Sequence, residues 1–221
     1  MTKGSAAVGA ATTVQRRAAR PRADALRNRE RIVTAAREMI VEHGTEVPLD
    51  EVARRAGVGN ATLYRHFPDR DDLMGYVVLS VMDRIAALVE EALAEDADAF
   101  DGLRRFAHAA VDERIGAICP MLSAAFSEDH PDLLATRDRL DSGVRTIMER
   151  ARAAGQLRDD VTVGDLLVSL TQLTRPLPGT CCVGNDRFVH RHLQLFLDGL
   201  RAPARSVLPG EAVTLEALRG C

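Results

Sequence analysis

The stretch 49–67, LDEVARRAGVGNATLYRHF, decides the fold of this chain of 221 residues. Its first half spaces apolar residues three and four apart, which places them on one face of a short helix; these residues are Leu49, Val52, Ala53 and Ala56. Gly57 then supplies the left-handed conformation that ends such a helix. A second short helix follows, with Asn60 as a suitable N-cap, Pro68 as a stop, and the apolar residues Leu63 and Phe67. The stretch therefore predicts two short helices around a tight turn.

The polar residues of the second predicted helix indicate a surface that meets nucleic acid. They are small at the helix start and hydrogen-bonding beyond it: Asn60, Ala61, Thr62, Tyr64, Arg65 and His66. No carboxylate lies between Glu51 and Asp69, so no acidic side chain there opposes a phosphate. A helix that enters the major groove by its N-terminus also needs small residues where its backbone comes closest. We interpret the stretch as a DNA-binding helix-turn-helix, while geometry alone leaves open an ordinary tight helix pair in an all-α protein.

The longer run LDEVARRAGVGNATLYRHFPDRDDL resembles the signature of the TetR (tetracycline-repressor-like) family of bacterial transcription regulators, and the match follows the family's order along residues 26–85. The resemblance implies an all-α homodimer whose N-terminal domains bind operator DNA and whose larger C-terminal domains dimerise and bind an inducer. It implies contacts with base edges or the groove for Asn60, Ala61, Tyr64 and Arg65. It implies phosphate contacts for Thr62, Tyr64, His66 and Arg70. The whole predicted DNA-binding set is Arg55, Gly59, Asn60, Ala61, Thr62, Tyr64, Arg65, His66 and Arg70.

One position departs from the family pattern. Pro48 occupies the place before the first helix of the motif where the family often has Thr or Ser, so a hydroxyl contact to phosphate is missing there.

Helical periodicity continues on both sides of the motif and predicts an all-α fold. A first helix is predicted over 24–43, and a long helix capped by Asp69 continues into Glu91. Later helices are predicted over 98–118, 131–155, 161–174 and 186–200. We divide the chain into a disordered basic N-terminal arm (1–23), a helix-turn-helix DNA-binding domain (24–70), a helical ligand-binding and dimerisation domain (71–202) and a C-terminal tail (203–221).

Charge is distributed unevenly between these parts. The first 70 residues hold thirteen Lys and Arg against eight Asp and Glu, a net of +5, so the remaining 151 residues sum to -8 and the whole chain to -3. By analogy with homeodomain arms, the N-terminal arm would reach an adjacent DNA groove through Arg16, Arg17, Arg20 and Arg22. The alternative is a solvated tail without fixed contacts. Either way, DNA binding should weaken steeply with salt, because neutralised phosphates release counterions.

The sequence of the acidic C-terminal part predicts helices but does not identify a ligand. By the resemblance, its last two helices pair with those of a second copy, with candidates Leu166, Leu167, Leu170, Leu173, Phe196 and Leu200. The alternative for each is the core of its own protomer. Polarizable or aromatic residues that would line an apolar effector cavity are Phe106, Cys119, Met121, Phe126 and Met148. The same residue types fill ordinary cores, so no ligand is assigned.

Signals for catalysis, cofactors and membranes are weak. The four cysteines form no C-x-x-C pair; adjacent Cys181 and Cys182 would sense oxidants or soft metals, or serve as plain structural thiols. His190 and His192 lie two apart and do not share a helix face. No phosphate-binding glycine loop or nucleophile elbow is present. We therefore predict no enzyme, cofactor or metal. The apolar stretches are too short for a bilayer and the first 23 residues lack a signal-peptide core, which predicts a cytoplasmic protein.

The sequence thus favours a sequence-specific transcriptional regulator, namely a homodimeric repressor that a small-molecule effector releases from double-stranded operator DNA. One alternative is a helical binding or adaptor protein of the same fold without specific operator recognition. Another is a helical-bundle enzyme, which would need a convergent set of titratable groups that the sequence does not offer.

Overall fold

The structure is a computed structural model that describes residues 9–44, 46–95, 98–114, 116, 131–175, 182–215 and 217. Within these ranges it contains helices and no strand, which confirms the all-α prediction. The described helices are α1 (Gly9–His43), α2 (Leu49–Ala56), α3 (Asn60–His66), α4 (Arg70–Ala94), α5 (Ala99–Asp112), α6 (Pro131–Ala153), α7 (Val163–Leu173) and α8 (Cys182–Gly199).

Local signals placed several helix ends correctly. The bounds of α2 agree with the predicted apolar spacing, and Gly57 follows it in the left-handed region at φ 64°. The Asp69 side chain caps α4 by accepting a hydrogen bond from the Asp72 N–H at 2.9 Å. Gly59 rather than Asn60 precedes α3, and no side chain caps that helix. Glycine and side-chain caps thus both mark helix ends here, at the end of α2 and at the start of α4.

The first helix is longer than predicted. It begins at Gly9 instead of residue 24, so the part of the predicted disordered arm from 9 to 23 is helical. This segment is rich in Ala and Arg, which are strong helix formers, and an established helix extends at a lower cost than a new one nucleates. The expected arginines Arg16, Arg17, Arg20 and Arg22 thus belong to a helix.

The buried core is continuous from the N-terminal helices to the C-terminal ones. The long α4 connects them, because its buried face packs on α1 at one end and on α5 and α6 at the other. On α5 the buried face consists of Phe100, Leu103, Phe106, Ala107, Ala110 and Val111. Burying one large apolar side chain contributes about 1.5–3 kcal/mol, so this shared core joins the two domains firmly.

The residues after α8 fold back onto α7. Arg158 is nearly buried, forms an ion pair with Asp160, and donates to the Ser206 carbonyl at 2.8 Å. The Thr162 hydroxyl donates to the Val213 carbonyl, and the Val213 N–H donates to Asp165. Within the residues that the structure describes, no helix has an apolar run long enough to cross a bilayer.

Candidate nucleic-acid interface

The turn between α2 and α3 is fixed from the side of α1. Gly57 donates its N–H to the Arg54 carbonyl at 3.1 Å, and Val58 donates to Ala53 at 3.0 Å. Arg31 of α1 donates to the Gly57 carbonyl at 3.2 Å. A Cβ on Gly57 would lie 2.4 Å from the Arg31 guanidinium. The turn therefore favours glycine chiefly for its positive φ, while a Cβ there would also displace the Arg31 guanidinium from its contact with the turn.

Helix α3 has one buried side and one open side. Leu63 and Phe67 are buried in the core beneath it, as the sequence predicted. Tyr64 is 49% exposed, which leaves its phenol ring and hydroxyl accessible to a partner. On the open side, Asn60, Ala61 and Arg65 are exposed, and Thr62 and His66 are half-buried. The predicted recognition residues therefore lie on one helix of seven residues with its apolar side anchored.

Arg65 and Thr62 are joined along this helix. The Arg65 Nε donates to the Ala61 carbonyl at 3.0 Å, and its Nη2 donates to the Thr62 hydroxyl at 3.1 Å. These bonds hold the planar guanidinium along the open side of α3. Such a group offers paired donors to a guanine edge or a phosphate.

Arg55, another predicted DNA contact, is held by α1. Its guanidinium forms two hydrogen bonds with Glu42, at 2.6 and 2.7 Å, and an ion pair with Glu38 at 3.2 Å. The hydrogen bond from Arg55 is the main reason that the pKa of Glu42 is lowered. The same bond raises the pKa of Arg55. In this geometry Arg55 positions α2 against α1.

Arg70 has a comparable positioning contact. At the start of α4 it donates to the Val47 carbonyl at 2.7 Å, across the connection that precedes α2. Because Arg70 is half-buried, its guanidinium ties the entry of α4 to the helix-turn-helix.

The sequence did not reveal an aromatic clamp formed by Arg29, Phe67 and Tyr76. The Arg29 guanidinium carbon lies 4.0 Å from the centroid of Tyr76 and 5.3 Å from that of Phe67. The two rings are 5.7 Å apart. Cation–π contacts of this kind contribute about 0.5–1 kcal/mol each at exposed sites. The clamp fixes the end of α3 between α1 and α4.

A second contact that sequence reasoning missed is the Glu113 cluster, made of Arg37, Arg84 and Glu113. Arg37 of α1 donates to the Glu113 carboxylate at 2.6 Å, and Arg84 of α4 donates to it at 2.6 and 2.9 Å. Glu113 is buried at the end of α5, and its hydrogen bond raises the pKa of Arg84. The cluster therefore joins the DNA-binding domain to the C-terminal domain through one carboxylate.

The candidate effector residues are only partly described. Phe106 of α5 and Met148 of α6 are buried in the same core. Cys119, Met121 and Phe126 lie outside the described residues, as does Cys181. Among the residues that are described, no group of three or more His, Cys, Asp or Glu side chains is arranged to hold a metal ion.

Two family models match separate parts of the chain. The family model for bacterial regulatory proteins of the tetR family matches residues 32–77. The model for the C-terminal domain of SbtR-like transcriptional regulators matches residues 98–202. A helix-turn-helix-type transcriptional regulator of Staphylococcus aureus is 43% identical over 58 residues, which cover 26% of this chain and 31% of the relative. The chain thus spans about a third of the length of the curated relatives it matches.

Solved structures resemble nearly the whole fold. A TetR regulator from Streptomyces coelicolor is 28% identical with a TM-score of 0.61, covering 80% of this chain and 99% of that one. A TetR regulator from Mycobacterium vanbaalenii is 29% identical with a TM-score of 0.57, covering 82% and 99%. LfrR from Mycobacterium smegmatis, solved with proflavine, shares the fold at 21% identity and a TM-score of 0.57, covering 83% and 99%.

The chain is a helix-turn-helix transcription regulator, of the class that acts by binding DNA. It belongs to the TetR family.

Proposed function

We propose that this chain is a homodimeric repressor that binds a specific operator through α3 and is released when a small molecule binds its C-terminal domain. The observation that carries the proposal is the anchored recognition helix. Leu63 and Phe67 hold α3 from below, while Tyr64 and Arg65 face outward. A recognition helix needs this combination, since side chains must meet base edges in a fixed register.

Within this proposal the outward residues form two groups, according to whether they contact the groove or the phosphates. Asn60, Ala61, Tyr64 and Arg65 read the groove, and Thr62, Tyr64, His66 and Arg70 contact phosphates. Gly59 lets the backbone approach DNA closely at the start of α3, because it has no side chain and faces open space. Arg55 acts through position, because its carboxylate partners on α1 occupy its guanidinium.

For the dimer, the described surface narrows the candidates. Leu166, Leu170 and Leu200 are buried within their own protomer, which is the intramolecular alternative. Phe196 and Leu173 are only partly buried, and Leu167 is half-buried. Phe188 and Leu195 of α8 are 43% and 61% exposed. We therefore propose that α7 and α8 pair with a second copy through the apolar residues that are not buried within the protomer, namely Leu167, Leu173, Phe188, Leu195 and Phe196.

For the effector, we propose an apolar small molecule in the C-terminal domain near Phe106 and Met148. LfrR, which shares the fold, has been solved with proflavine, and this supports a ligand site in proteins of this architecture. Binding there would reach the DNA-binding domain through α4 and the Glu113 cluster, since both contact α1. Such a change shifts the spacing of two recognition helices.

DNase I footprinting of the purified chain on the region upstream of its own gene tests this proposal. We expect a protected site that survives competitor DNA and weakens as salt rises. The variant Arg65→Ala should lose that protection, while Arg145→Ala, which removes an exposed arginine from α6, should keep it. Equal weak binding to every sequence would instead support the adaptor alternative. Repeating the footprint with a metabolite library searches for the effector.

A further inference from the structure

Two histidines face each other between α5 and α8, away from the DNA-binding surface. The imidazole rings of His108 and His190 meet edge to edge, with centroids 5.1 Å apart and planes inclined by only 14°. Their Nδ1 atoms are 2.9 Å apart, which is hydrogen-bonding distance. On the outer sides, His108 Nε2 lies 3.3 Å from Gln194 Oε1, and His190 Nε2 lies 2.9 Å from Asp112 Oδ1. All four ring nitrogens therefore have a partner.

These outer partners determine which nitrogens carry hydrogen. Gln194 donates its amide N–H to Asp198 at 2.8 Å, so its oxygen, an acceptor, faces His108. The Asp112 carboxylate is likewise an acceptor facing His190. Both Nε2 atoms must then be donors and carry hydrogen. The contact between the two Nδ1 atoms requires one further hydrogen, because one nitrogen must donate and the other accept.

Three N–H hydrogens on two imidazole rings amount to one net positive charge, since a neutral imidazole carries one. We propose that His108 and His190 share a single extra proton, balanced by Asp112, and that this proton holds α8 against α5. Losing the proton leaves one contact between two acceptors, either between the two Nδ1 atoms at 2.9 Å or between His108 Nε2 and Gln194 Oε1 at 3.3 Å, and both of these contacts join α5 to α8. Gaining a second one places two N–H groups and two like charges there. The contact is therefore strongest between two pH limits and loosens beyond either.

Charges on the elements packed around the pair mostly have partners of their own. Among the described residues of α5, α8 and their neighbours, those in contact with the pair are Asp112 and, through Gln194, Asp198. Arg191, next to His190 on α8, is exposed. Other charged groups of the packed elements have their own contacts: Arg104 and Arg105 with Asp101, Arg105 with Glu95, Glu113 with Arg37 and Arg84, Arg139 with Asp83 and Glu90, Arg150 with the Leu93 carbonyl, Arg152 with the Val161 carbonyl, Arg158 with Asp160, and Asp165 with Thr162. Among the described residues, the His108–His190 pair is thus a contact between α5 and α8 whose strength depends on a single proton.

The position of the histidine pair connects its protonation state to the DNA-binding domain. His108 and Asp112 lie on the last turns of α5, and Glu113 follows directly. Glu113 holds Arg37 of α1. Releasing α8 from this end of α5 would therefore loosen the segment that anchors the Glu113 cluster. The shared proton itself does not depend on operator binding, so the two proposals fail separately.

Long-range ¹⁵N NMR of the full chain tests the proton count, because it distinguishes ring nitrogens that carry hydrogen from those that do not. Near neutral pH we expect both Nε2 atoms to carry hydrogen and both Nδ1 atoms to show intermediate shifts from the proton they share. His192 is the internal control, since its Nδ1 contacts only its own helix at the Phe188 carbonyl. If either Nε2 lacks hydrogen near neutral pH, or if the two rings gain their protons independently of each other, the proposal is overturned.

Hydrogen exchange of the α8 amides, corrected for the intrinsic rate, tests the consequence from about pH 5 to about pH 9. We expect protection to pass through a maximum and to fall several-fold on both sides. His190→Gln should remove the maximum, and the matched variant His192→Gln should retain it. Asp112→Asn removes the balancing charge, so the fall on the alkaline side should move to lower pH. A flat profile in the unmodified protein, or an unchanged maximum in His190→Gln, would contradict the shared proton.

Discussion

The substitution Glu113→Gln tests how firmly the two domains are joined. It keeps the size of the side chain and one acceptor oxygen but removes the charge that Arg37 and Arg84 share. The carboxylate side chain is 10% exposed, and its partners Arg37 and Arg84 are 28% and 60% exposed. The better buried Arg37 pair should contribute about 2 kcal/mol, as a charge-assisted hydrogen bond does. Water screens the Arg84 pair, so it adds no more than about 1 kcal/mol.

The expected loss of unfolding free energy is therefore about 2–3 kcal/mol. Urea unfolding followed by circular dichroism measures it, with Glu149→Gln as the matched control at an exposed site on α6. The control should stay within about 0.5 kcal/mol of the unmodified protein. A double-mutant cycle with Arg37→Gln should give a coupling of about 1–2 kcal/mol. If Glu113→Gln is as stable as the control, the Glu113 cluster does not hold the domains together.

Three further substitutions or conditions extend the test. Tyr64→Ala should lower specific operator affinity by about 1–3 kcal/mol in fluorescence anisotropy, and unchanged affinity in a folded variant would remove Tyr64 from the interface. Gly57→Ala forces a Cβ into a left-handed residue and should cost about 1–2 kcal/mol in thermal unfolding; Gly199→Ala at the end of α8, where φ is not positive and a Cβ would meet nothing within 4 Å, is the control and should cost about 0.5 kcal/mol or less. The pKa of Asp98 is lowered, chiefly by the hydrogen bond from the Asp101 N–H and then by the one from Gln156. The ionised Asp98 therefore stabilises the folded chain fully above its unfolded pKa near 4, and this contribution is lost as the pH falls through the lowered pKa. The urea midpoint should thus fall with acidification below about pH 4, and by less in Asp98→Asn.

The spacing of apolar residues, together with the residues that begin or end helices, made much of the fold predictable. The apolar spacing of α2, the positive φ of Gly57 and the Asp69 cap each depend on neighbours a few residues away, and the structure agrees with all three. The open side of α3 followed from the same logic, because Leu63 and Phe67 already accounted for its buried side.

Contacts between distant segments were not predictable from such patterns. Glu113 meets Arg37 and Arg84 only after α1, α4 and α5 have packed, and an acidic residue at a helix end gives no local sign of this. Arg55 illustrates the same limit. Its place in the motif predicts a DNA contact, whereas its contacts with Glu38 and Glu42 on α1 cannot be read from the spacing of α2. The start of α1 at Gly9 was not predictable from apolar spacing, because that spacing begins only at Leu26.

Selection of duplexes from a random pool by the purified full chain, at physiological salt and with competitor DNA, tests the central claim that α3 reads an operator as part of a dimer. We predict enrichment of an inverted repeat whose half-site centres lie about one helical turn, roughly 34–36 Å, or a multiple of it apart. Recovery of no preferred sequence, or of a single half-site without its inverted partner, would contradict the account.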